Sequence, residues 1–159
     1  MKDFILRWRE VGIVALVLFA INVAGRFVAA KLIKSENQQV LEDRQSLAGF
    51  ATLGAIFLVF FGLTLYWGRK RTMWRVCTEL GFAGAIACVL SVFAGPLIIG
   101  ESPFVGGAGD FFAQIWWWVG IAIGGVFLGY VGLISFTADY KSRQLKAYAD
   151  RAKAQPRRV

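Results

Sequence analysis

The chain has no histidine, and its 159 residues include only two cysteines, two methionines and three prolines. Without histidine it lacks the usual axial ligand of haem, the commonest ligand of zinc and copper, and the commonest general base. Cys77 and Cys88 cannot pair within one helix, because that stretch of helix sets them about 16 Å apart and bridged Cα atoms lie within about 7 Å. They read as small buried packing residues. Paired acids, clustered metal ligands and Ser/Lys nucleophile pairs are missing as well, so no catalytic residue, cofactor or metal is expected.

The second scarcity is charge within the apolar stretches. Leu47 to Trp67 is a 21-residue run with no charge, Val76 to Gly100 a 25-residue run with only Glu79, and Phe111 to Ala138 a 28-residue run with none. A 57% hydrophobic content gathered in blocks, rather than at helix or strand spacing, excludes an ordinary water-soluble domain. A helix of Leu47–Trp67 would rise about 31 Å, the thickness of the hydrocarbon core. The expectation is an all-α integral membrane protein, a four-helix transmembrane bundle of two antiparallel hairpins. Its spans fall at about residues 11–30, 47–67, 76–100 and 111–138, giving a membrane domain over 1–140 and a basic cytoplasmic tail over 141–159. The positive start, short apolar stretch and Ala29-Ala30 end also resemble a signal peptide; the segment is read as a retained anchor, with Arg26 snorkelling to the headgroups at its outer end.

Orientation follows from where the basic residues lie. The start, the link between the second and third spans, and the tail together carry fourteen of them, against Arg26, Lys31, Lys34 and Arg44 on the other side. The positive-inside rule then predicts both termini in the cytoplasm, in a bacterial inner membrane. The net charge of +8 is thus a topological signal, facing anionic phospholipid headgroups rather than nucleic acid. Outside, Ser35 to Ser46 is rich in helix formers and can extend a helix or offer a docking surface, while Glu101 to Asp110 is an acidic, Gly-rich turn and a poor phosphate site. Pro96 falls where it can kink or end the third helix, and Gln155 to Arg158 is expected to fray.

Few residues offer chemistry. Glu79 is the one carboxylate inside a span, and such groups are functional candidates because burial costs them so much. Arg75 lies one helical turn before it, so the pair can instead neutralise near the cytoplasmic interface. Asn22 is the second polar residue at depth, suited to bonding another helix. Gly120 with Gly124, and Gly125 with Gly129, form overlapping GxxxG spacings for helix packing, within the chain or between copies. Trp67, Arg69, Lys70 and Arg71 in the basic link, and Trp116, Trp117 and Trp118 at the outer end of the fourth span, are expected to meet lipid or a partner.

The reading these features favour is a non-catalytic accessory, assembly or stabilising subunit of a larger membrane complex, a respiratory one among the options, with other integral membrane subunits as partners. The alternative is a small oligomeric proton-coupled transporter or channel that uses Glu79. No helix shows a polar stripe to line a path, and no internal repeat suggests inverted halves.

Overall fold

The computed structural model describes residues 2–33, 38–100, 102, 104, 107–136 and 139–154, and all regular structure among them is helical. Helix α1 spans Lys2–Phe27 and passes into a π-helical turn, Val28–Leu32. Helix α2 covers Gln38–Gly68, α3 covers Met73–Val89, and a second π-helical turn, Leu90–Ala94, leads into the short α4, Gly95–Ile99. Helix α5 runs over Gly107–Ser135 and α6 over Tyr140–Ala154. Four segments are long and apolar enough to cross a membrane: Trp8–Lys31, Gln38–Gly68, Met73–Ile99 and one beginning at Gly107. The chain is thus consistent with a multi-pass membrane protein.

The helices exceed the expected spans at several ends. Helix α1 starts at Lys2 rather than near residue 11, because nothing in Lys2–Glu10 breaks a helix. The same argument carries α2 back to Gln38, through most of the polar link. Helix α5 already begins at Gly107, so the turn before it is shorter than Glu101 to Asp110; Glu101, Pro103, Val105 and Gly106 lie outside the described residues, as does the tail end from Gln155. Pro96 does not end the third span. A proline ring crowds the carbonyl four residues back, here Val92, and the wider π-helical turn over Leu90–Ala94 accommodates it. The span stops instead at Gly100, whose φ of 85° is the left-handed cap that glycine supplies without strain.

In lipid an apolar side chain gains nothing by moving from acyl chains onto another helix, so packing depends on how closely backbones approach. The most extensive contact joins α2 to α5. A Cβ added at Gly125 would lie 2.8 Å from Phe60 Cβ and 3.0 Å from the Phe57 carbonyl oxygen; at Gly129 it would lie 2.8 Å from Thr64 Cβ and 3.0 Å from the Phe61 carbonyl oxygen. Further along, Leu133 rests on Gly68. These pairs rise together in number, so α2 and α5 run in the same direction. Helix α1 packs on both α2 and α3, whereas α3 and α5 touch only sparsely. Where the helices converge, Leu18, Ile56, Phe60, Leu80, Ala83, Ala87 and Trp118 form the core. Phe60 meets Trp118 edge to face with ring centroids 5.8 Å apart. It also lies over Gly84 on the small-residue face of α3.

Candidate functional site

Two polar centres lie at opposite ends of the bundle. The first is built on the link Arg69–Thr72, where the Trp67 carbonyl accepts from the Lys70 and Arg71 amides at 2.9 and 2.8 Å. That tight turn points Arg71 back over the Trp67 ring, 5.1 Å from its centroid. From there the guanidinium bridges two carboxylates: Nη1 donates to Glu79 Oε2 at 2.5 Å and Nη2 to Glu10 Oε2 at 2.6 Å. Arg75 Nε donates to the other Glu79 oxygen at 2.9 Å. Two acids and two bases thus join α1, the link and α3, with Glu79 at 2% exposure as the buried member. Burial works against the Arg71 charge, but the hydrogen bonds and negative charges of Glu10 and Glu79 outweigh it and raise its pKa. A folded value above the unfolded one means a stabilisation present below the unfolded pKa and lost only in strong alkali.

The expected Arg75–Glu79 pairing is present, but Arg71 and Glu10 complete the cluster. Arg71 therefore turns inward, while Arg69 is exposed and Lys70 donates to the Tyr66 hydroxyl at 2.6 Å. Trp67 and Trp118 are corrections to the sequence reading: at 6% and 4% exposure they are core residues, not lipid contacts. Both face inward because their helix sides carry the close α2–α5 and Phe60 contacts. Trp116 and Trp117 are exposed at 79% and 59%. Of the four glycines, Gly125 and Gly129 are covered by α2 and Gly124 lies loosely against Phe57, whereas Gly120 has no atom within 4 Å of an added Cβ.

The second centre surrounds a cavity of about 440 Å³ between α1, α2, the π-helical turn after α3, and α5. Arg26 does not simply snorkel to headgroups. Its Nε donates to Asn22 Oδ1 at 3.0 Å and its Nη2 crosses to Gln114 Oε1 on α5 at 2.9 Å. Asn22, Arg26 and Gln114 all line the cavity, with Thr52, Ser91 and Trp118. Thr52 stands over Gly25 and donates to the Ala48 carbonyl at 2.7 Å. The Ser91 hydroxyl and the Trp118 indole N–H are buried and have no hydrogen-bond partner among the described residues. Sequence reasoning missed Ser91, Gln114 and the inward use of Arg26, since only the helix arrangement brings them together.

Among the described residues no group of histidine, cysteine, aspartate and glutamate could hold a metal. Cys77 and Cys88 are free thiols, but Cys77 is exposed and Cys88 half-buried, so neither is the buried packing residue expected from the sequence. No family model, curated protein or solved structure matches the chain, so its functional reading rests on geometry.

Proposed function

We propose that the chain is a non-catalytic accessory, assembly or stabilising subunit of a larger membrane protein complex, with a respiratory complex of the bacterial inner membrane as the first assembly to test. The observation that carries this reading is the engagement of Glu79. The one acid within the long apolar runs is held by two arginines in a cluster that ties three parts of the chain together, which is the work of a structural group rather than a proton carrier. Large aromatic side chains meanwhile point outward, Trp74 and Trp116 among them, where lipid or other subunits can meet them.

The reading includes two antiparallel hairpins with both termini cytoplasmic and the basic link and α6 facing anionic headgroups. The approach of Gln45 Nε2 to the Ala29 carbonyl, at 3.2 Å, and of Thr52 to Gly25 supports the first hairpin. Purification of the tagged protein from its own membrane in mild detergent is expected to recover other subunits in fixed stoichiometry. Recovery of a pure homo-oligomer would overturn the proposal and point to the transporter alternative.

A further inference from the structure

The rest of the chain leaves α6 uncovered. Helix α5 ends at Ser135, and α6 opens on a cap of its own, in which the Asp139 carboxylate accepts from the Ser142 amide at 3.2 Å. Beyond that first turn every residue from Arg143 to Arg151 is exposed. A helix of 15 residues with so little packing is marginal in water, so a surface outside the chain must hold it.

The place where α6 starts points to one such surface. Asp139, Tyr140 and Lys141 line a cavity of about 390 Å³ together with Gly68, Thr72 and Trp74. Gly68 closes the second long apolar segment and Trp74 opens the third, with its ring exposed at 81%. The helix thus sets out from the level at which apolar segments end, where indole rings are favoured.

The side chains of α6 are sorted around it. Leu145, Tyr148 and Ala149 stand at the i, i+3 and i+4 spacing of one helix side, and Leu145 and Tyr148 are exposed at 69% and 74%. Helical rotation places Lys146 and Lys153 along one edge of this apolar strip and Arg151 along the other, each within about 120° of Leu145. Lys141 stands one turn before Leu145, where its long stem can lie on the apolar strip with the ammonium at the headgroups. The helix has five cations and one acid, and that acid, Asp150, lies on the far side, about 140° from Leu145. Apolar groups in the middle, cations at both edges and the acid turned away are complementary to a flat, negatively charged surface with an apolar layer beneath it.

We propose that α6 lies in the plane of the membrane as an interfacial helix that recognises anionic phospholipid, with Leu145 and Tyr148 inserted among the acyl chains and Lys146, Arg151 and Lys153 on the headgroups. The inference deepens the proposed placement of α6 beside anionic headgroups, and rests on it, by giving the helix an inserted face and a lipid preference. Each basic side chain at an anionic surface strengthens attachment about fivefold, and salt weakens that part of it.

The test is amide hydrogen exchange of α6 in the full chain, held in nanodiscs of phosphatidylcholine alone or with one third phosphatidylglycerol. The anionic discs are expected to slow exchange in α6 by about tenfold or more, and half-molar salt to reverse most of the effect. Each variant is compared with its own rate in neutral discs, which removes differences in helix propensity. Leu145→Ser with Tyr148→Ser, and Lys146→Glu with Lys153→Glu, are each expected to abolish the difference between discs, whereas Asp150→Asn on the far side keeps it. The proposal is overturned if exchange in α6 is the same in both discs, whether fast or slow, or if neither double variant changes the ratio. Protection that appears only with a co-purified subunit, and equally in either lipid, assigns this face to protein and overturns it too. Discs expose both faces of the protein, so a lipid-indifferent α6 sinks this inference alone, while co-purification and reporter fusions test the reading beneath it.

Discussion

Glu79 shows how the setting of a buried carboxylate is made by its partners. Its side chain is buried, and its two carboxylate oxygens are bonded separately by Arg71 and Arg75. Removing one member of a buried ion cluster leaves its partners desolvated and unpaired, which costs more than the bond was worth. Glu79→Gln and Arg71→Ala are each expected to cost about 2–4 kcal/mol, because each strands a partner in a poorly hydrated place. Arg75→Ala should cost only about 0.5–1 kcal/mol, since that side chain is half exposed and its bond is an i,i+4 pair. Reversible unfolding in mixed detergent micelles ranks the three, and an Arg75 variant as unstable as the Arg71 one would show that the bridge to Glu10 contributes nothing. The spacing of Arg75 and Glu79 made their pairing legible in the sequence. Glu10 was not legible as a partner, because 61 residues separate it from Arg71 and only the packing of α1 on α3 brings them together.

Among the helices, α5 presents two glycine registers with different fates. Gly125 and Gly129 sit on the α2 backbone, and Gly120 looks into open space. Leucine at Gly125 or Gly129 must push the helices apart and is expected to cost about 1–3 kcal/mol, whereas Gly120→Leu should stay within about 0.5 kcal/mol. The same unfolding titration checks this; equal losses at all three positions would mean that the close approach to α2 does not set the cost, since helix propensity alone makes leucine the better residue at each. The sequence showed the GxxxG spacings but not which of them meets α2, since both face directions are equally apolar. It showed Pro96 as a disturbance but not its form, because a proline can kink a helix, end it or be absorbed in a π turn, and the residue type alone does not choose among these. Trp118 was misread for a related reason: three adjacent indoles must diverge around a helix, and composition does not say which one turns to the core.

For the whole molecule, the class was legible from block hydropathy and charge placement, since a bilayer imposes span length and apolarity directly on the sequence. The arrangement of the helices was not, because side chains that face lipid and side chains that face another helix are drawn from the same residues. The charge distribution still makes a prediction at this scale. A reporter fused after Val159 is expected to be active in the cytoplasmic form only, as is one placed in the Arg69–Thr72 link; periplasmic activity at either site would invert the topology. The tightest interface, between α2 and α5, joins the second apolar segment to the last one. A ribosome delivers α5 only after α1 to α4 have emerged, so during synthesis the Phe57, Phe60 and Thr64 face of α2 waits without its counterpart. A chain stopped after Gly100 should therefore be cleared quickly in pulse-chase labelling and rescued by supplying α5 as a separate polypeptide, which makes the final span the step that commits the nascent protein to survival.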